Sequence, residues 1–184
     1  MKTLIINLPR TGSTSLHTKL VKEQKAIGIF NPFDNTGRTK VLLKENIVVK
    51  SGVLYPDGLL FEDRVEFYKK LIPGFDKVIL LSRRNNVEHL ESWLHMKKHN
   101  TSSSWEENTK YGDKTKFNSQ VKYSFNPNEH SEIDKEIAQG ELDEWNKVLK
   151  FLSTEYNIPI TYYEDIFDLS NKNRYRQKRK IELI

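Results

Sequence analysis

The chain has 184 residues, of which 36% are apolar and 30% charged, with a formal net charge of +5 and no cysteine. That length supports one domain with a real core and is short for two. The lack of cysteine excludes disulfides, thiol catalysis and thiolate metal sites. The modest positive charge suits an anionic small ligand and does not by itself call for nucleic acid.

In chain order, Thr3 to Leu8 is an apolar run that reads as a buried first strand. The run is too short for a signal peptide or a membrane span, so a soluble, cytoplasmic chain is expected. Ser13 to Ala26 reads as a helix with Leu16, Leu20 and Ile27 on one face. Residues 31–38 carry Asn, Pro, Asp and Gly and read as a loop. Asn46 to Lys50 is a second strand, and Leu59 to Leu71 a helix closed by Pro73 and Gly74. Lys77 to Ser82 is a continuous apolar run, as in a central parallel strand covered on both faces. Asn86 to His99 is a helix with Val87, Leu90 and Leu94 on its buried side.

Residues 97–131 are polar and lack a sustained period, which marks either a lid-like insertion or a partly disordered stretch. Trp105, Tyr111, Phe117, Tyr123 and Phe125 within it offer rings for an acceptor or anchors for a lid. Ile133 to Tyr156 repeats Ile133, Ile137, Trp145, Val148, Leu149 and Leu152 at helical spacing, and Pro159 to Tyr163 is a last strand. A basic tail closes the chain over residues 171–184. Alternating strands and helices predict a single α/β domain, residues 1–184, with a mostly parallel sheet and helices on both faces. Ligands in such folds sit beyond the carboxyl ends of the strands.

Two segments follow strand ends and carry the chemistry. The first is Leu-Pro-Arg-Thr-Gly-Ser-Thr-Ser, residues 8–15. A strand, a hydroxyl-rich turn and a helix start make an anion site, because backbone N–H groups and the helix dipole point at the anion. The plainer alternative is that Ser13 or Thr14 merely caps the helix. The stretch is not a Walker A loop, since it has one glycine, Gly12, and no lysine. The second segment is Arg84, with Ser92 eight residues on. Ser92 faces the strand end only if a helix starts close to Arg84, for which Asn85 and Asn86 are good signals.

These motifs resemble the PAPS-dependent sulfotransferase family, in its small Pro-Arg-x-Gly-Ser-Thr form. Residues 8–15 are similar to its 5′-phosphosulfate loop, and Val78 to Ser92 to its 3′-phosphate element of strand, arginine and serine. Tyr162-Tyr-Glu-Asp-Ile resembles its late strand ending in Tyr-Glu-Asp-Leu. The resemblance implies a compact P-loop-like α/β fold and 3′-phosphoadenosine 5′-phosphosulfate (PAPS) as donor, with PAP as product and no metal. It implies that Arg10 contacts the bridging oxygen and the leaving 5′-phosphate. Thr11, Gly12, Ser13, Thr14 and Ser15 would hold the 5′-phosphate, and Arg84 and Ser92 the 3′-phosphate. The acceptor would be a hydroxyl, or an amine, on a small molecule or glycan; a membrane partner is not expected and nucleic acid is disfavoured.

The acceptor needs a general base. Relatives often carry a glutamate in a loop after the first helix, where this chain has Asn31. An amide takes no proton, so Asp34 is the nearest substitute, with His95, His99 and Glu62 as others. Lys50 and Ser51 fall where the family has a segment lining the site, and Glu164 and Asp165 read as braces near the arginine loop. The tail from Arg174 to Lys180 is either a solvated terminus or help for the 3′-phosphate. A nucleotide or small-molecule kinase, and a PAP- or nucleic-acid-binding protein without turnover, are the alternatives.

Overall fold

The computed structural model describes residues 1–32, 44–53, 59–99 and 130–166. The elements are β1 (Lys2–Asn7), α1 (Ser13–Gln24), β2 (Ile27–Phe30), β3 (Ile47–Gly52), α2 (Phe61–Leu71), β4 (Lys77–Ser82), α3 (Asn86–His99), α4 (Glu132–Tyr156), β5 (Ile160–Tyr162) and α5 (Tyr163–Ile166). A 3-10 turn, Ile72–Gly74, ends α2. The strands form one sheet in the order β2-β3-β1-β4-β5. Every pairing in it is parallel, so the fold is α/β.

Contacts divide the chain into two compact units, Met1–Arg84 with Trp145–Ile184, and Asn85–Glu144. The first unit holds the sheet. Alternation along the strands places Ile5, Val48 and Leu81 on one face, where they bury Leu16 and Leu20 of α1. Ile6, Ser51 and Ser82 lie on the other face. There the Ser51 and Tyr68 hydroxyls are 3.0 Å apart, and Ser82 donates to Asn146 of α4 at 3.1 Å. Helices therefore cover both faces: α1 on one, α2 and the second half of α4 on the other. In the second unit, Glu141 of α4 accepts from Trp93 Nε1 at 2.8 Å and from Lys97 Nζ at 2.9 Å. None of the described helices is long and apolar enough to cross a membrane.

Three local expectations change. Ile27 does not extend the face of α1; it opens β2, an edge strand paired to β3. Lys25 adopts a left-handed conformation (φ 48°), and the N–H of Ala26 folds back on Val21 O at 3.0 Å, which ends the helix early. β4 is an interior strand as expected, paired in parallel with β1 on one side and β5 on the other. Val87 is 68% exposed; Leu94 is buried as expected, and the buried arc of α3 runs through it together with His89 and Trp93. Two of those three carry ring nitrogens, so a count of aliphatic residues misplaces the arc. Ile133 is also 68% exposed, leaving Ala138 and Leu142 as the buried side of the first part of α4.

His17 of α1 is buried under β2 and β3. Its Nε2–H donates to Val48 O at 2.9 Å, and its ring lies 4.1 Å from that of Phe30. Burial, aided by the Lys50 charge, lowers its pKa from 6.5 to about 4. The unfolded chain therefore takes up the proton first as pH falls. Stability is full above pH 6.5 and drains away towards pH 4, by on the order of 3 kcal/mol. Chemical denaturation across that range is expected to show this slope, and a His17→Gln variant a flatter one. Gly28 faces the same ring: a Cβ there would sit 2.7 Å from His17 Cε1 and 2.9 Å from Val21 Cγ2. Gly28→Ala is expected to lose about 1–3 kcal/mol in the same assay.

Candidate functional site

The turn after β1 is held by its own backbone. The N–H of Leu8 donates to Leu81 O of β4 at 3.1 Å, which ties the turn to the neighbouring strand end. Leu8 O in turn accepts from Asn7 Nδ2 at 2.7 Å and from the Thr11 hydroxyl at 2.8 Å. Thr11 is fully buried, so its hydroxyl braces the turn from inside. Two residues are left-handed, Arg10 (φ 61°) and Gly12 (φ 68°). Gly12 meets this at no steric cost, whereas Arg10 carries about 1 kcal/mol or more of strain. Such strain persists where the surroundings over-determine the backbone, often at ligand sites.

The chain enters α1 from this turn. Gly12 is the N-cap, no side-chain cap hydrogen bond is made among the described residues, and the first turn has no acidic residue. Ser13 and Thr14 are therefore not caps. Each of the other described α-helices has a carboxylate in its first turn: Glu62 and Asp63 in α2, Glu88 in α3, Glu132 and Asp134 in α4, Glu164 and Asp165 in α5. The leading N–H groups of α1 have no intrahelical acceptor and carry the positive end of its dipole. Of the hydroxyls, Ser13 is buried, Thr14 half-buried and Ser15 exposed. Arg10 is half-buried on the turn.

Lys50 adds a cation. It sits near the carboxyl end of β3, is only 8% exposed, and places Nζ 3.4 Å from the Thr14 hydroxyl. Its ammonium also lies 5.3 Å from the centre of the Phe30 ring. A buried ammonium beside a helix N-terminus concentrates positive potential at one point, where an anion is favoured. The resemblance places Lys50 only among residues lining the site; in the sequence it directly follows the apolar run Ile47 to Val49.

Asn31 and α2 hold β3 in place. Asn31 is buried and left-handed (φ 39°); its N–H donates to Lys50 O at 2.7 Å and its Oδ1 accepts from the N–H of Gly52 at 3.2 Å. On the opposite face, Tyr68 Oη donates to Gly52 O at 3.0 Å and Arg64 Nη1 to Val53 O at 2.8 Å. Burial holds the Tyr68 phenol protonated well above its ordinary range. Asn31, at the position where the resembled family often carries a glutamate, thus serves as a backbone clamp.

The end of β4 meets the end of β5. The N–H of Arg84 donates to Glu164 Oε2, and Arg84 Nη2 to Asp165 Oδ2, both at 2.9 Å. The Arg84 guanidinium lies 4.7 Å from the Tyr162 ring centre, and that of Arg83 5.1 Å from Tyr163. The Tyr-Glu-Asp segment therefore braces the arginine pair. α3 starts directly after it: Asn85 Oδ1 accepts from the N–H of Glu88 at 3.1 Å. Ser92 lies on α3 in the second unit, half-buried, as does His95. Glu62 is exposed in α2. Asp34, the lid aromatics and the tail from 171 lie outside the described residues, as does the side chain of His99.

Replacement of the Lys50 ammonium is expected to weaken anion binding about ten- to a hundredfold. The check is the rise in melting temperature with inorganic sulfate or pyrophosphate, compared between the native chain and Lys50→Met. An equal rise in both would remove Lys50 from the site. No protein-family model matches the chain and no curated protein is found similar to it, so these contacts and the motifs themselves carry the functional reading.

Proposed function

We propose that the chain is a sulfotransferase that moves a sulfuryl group from PAPS to a hydroxyl or amine acceptor. The observation that carries this reading is the uncapped, acid-free start of α1 with the Lys50 ammonium 3.4 Å from its Thr14 hydroxyl. Backbone N–H groups, hydroxyls and an ammonium are the donor set a phosphate or phosphosulfate needs. A second cation, Arg84, follows the adjacent strand. PAPS carries phosphate on both its 5′ and 3′ positions, which suits two separate cationic places along one sheet edge.

PAPS supplies a sulfuryl group on a 5′-phosphate leaving group. Arg10, Lys50, Ser13 to Ser15 and the first N–H groups of α1 hold that phosphate and stabilise the negative charge it gains as the bond to sulfur breaks. Groups fixed before the reaction need no reorganisation during it, and the hydrogen bonds on both sides of β3 serve that rigidity. The acceptor oxygen or nitrogen bonds to sulfur and gives its proton to a base, for which Asp34 is the carboxylate suggested by the sequence. Arg84 takes the 3′-phosphate. A second reading, a PAP-binding protein without turnover, is favoured by one observation: the Asn31 amide is spent on β3.

Titration with PAP, with AMP, ADP and ATP as controls, tests the nucleotide. PAP at a hundredfold excess over its Kd is expected to raise the melting temperature by roughly 5–10 °C, and the controls by less. A response to ATP and none to PAP would replace this reading with a kinase. Arg10→Ala is expected to stay folded and lose transfer from PAPS about a hundredfold or more. Binding of PAP without transfer to any acceptor would favour the non-catalytic reading, and full activity of Asp34→Asn would dismiss Asp34 as the base.

A further inference from the structure

The two arginines after β4 and the two acids after β5 form two ion pairs of different character. Arg83 and Glu164 are withdrawn from solvent, with side chains 10% and 15% exposed, and Arg83 Nε is 3.8 Å from Glu164 Oε1. The other oxygen of Glu164 holds the backbone N–H of Arg84. Breaking a desolvated pair leaves a buried charge behind, so this pair is a permanent part of the fold. Arg84 and Asp165 are 59% and 50% exposed, at 2.9 Å. An exposed pair contributes little to stability and is readily exchanged.

Arg84 does not depend on Asp165 for its aim. Its backbone is fixed by Glu164 and its guanidinium rests on the Tyr162 ring. A guanidinium offers five N–H donors, of which Asp165 engages Nη2. A phosphate engages a guanidinium through two donors at once and brings up to two charges, against one for the carboxylate. We propose that Asp165 and a ligand's phosphate compete for Arg84, so that Asp165 is a specificity-determining residue that lowers phosphate affinity and recaptures the guanidinium when the ligand leaves. The identity of that phosphate, the 3′-phosphate of PAP, rests on the function proposed above; the exchange itself does not.

The physical consequence has a definite sign. If Asp165 merely held Arg84 in position, its loss would weaken phosphate binding. If it competes, removing its charge while keeping an acceptor for Nη2 strengthens binding. Asp165→Asn does this at nearly constant shape, and Asp165→Ser provides a second variant should the first fold poorly. PAP affinity is expected to rise about five- to tenfold in either variant, with 5′-AMP, which lacks the 3′-phosphate, unchanged. Arg84→Ala in the Asp165→Asn background is expected to abolish the gain.

Calorimetric titration with PAP and 5′-AMP, alongside melting curves in inorganic phosphate, reads the outcome on the full chain. PAP binding that is equal or weaker in both variants overturns the exchange and leaves the nucleotide reading standing. An equal gain for 5′-AMP and PAP also overturns it, because the 3′-phosphate would not be the competitor. If PAP does not bind the native chain, a larger rise in melting temperature with inorganic phosphate in the variants supports the exchange and defeats the nucleotide reading. If phosphate then also fails to distinguish the variants from the native chain, the exchange is overturned as well.

Discussion

β1 lies in the middle of the sheet with a neighbour on each edge, and its residues Leu4, Ile5 and Ile6 are fully buried. A strand enclosed on all sides can release its chain only at its carboxyl end, and the backbone groups released there need partners. The turn at residues 8–12 supplies them internally, through Leu8, Asn7 and Thr11, and through Leu81 of β4. From that turn the chain runs to α1 on one face, whereas the chain leaving β3 runs to α2 on the other. This divergence leaves the start of α1 at the crevice where ligands of open α/β sheets bind.

The electrostatics of the first unit follow from that arrangement. The positive end of α1 and the Lys50 ammonium meet at Thr14, and no carboxylate lies in the first turn of α1. His17, one turn further along α1, is kept neutral first by burial and then by the same lysine. Phe30 links the two, lying against the imidazole on one side and the ammonium on the other. The cationic crevice and the acid sensitivity of the fold therefore share a cause: cations and imidazole are packed where solvent does not screen them. At the end of β4 the opposite arrangement holds, since Arg84 is solvated and faces a carboxylate.

The regular elements were legible because their signals are local. The apolar runs of β1 and β4 need only six residues each to be recognised, and α3 begins at the Asn85 cap that its sequence advertises. β2 was missed because Ile27-Gly-Ile-Phe continues the apolar arc of the preceding helix, and only the left-handed Lys25 separates them. Val87 was misplaced because the buried side of α3 uses histidine and tryptophan, which hydropathy scores as ambiguous. Among the candidate site residues, the turn at 8–15 and Arg84 were legible as strand-end motifs, whereas Lys50 was placed beside the site only by the resemblance.

By itself, the sequence determined the α/β class, the turn that launches α1 and the cations that follow the strands, because these depend on short-range period, turn chemistry and composition. Tertiary structure alone decided the order β2-β3-β1-β4-β5, the approach of Lys50 to Thr14 and the pairing of Arg84 with Asp165. The last two join residues 36 and 81 positions apart. Contacts at such separation are set by which faces bury together and by the parallel register of the strands, and neither leaves a mark in any single stretch of the chain.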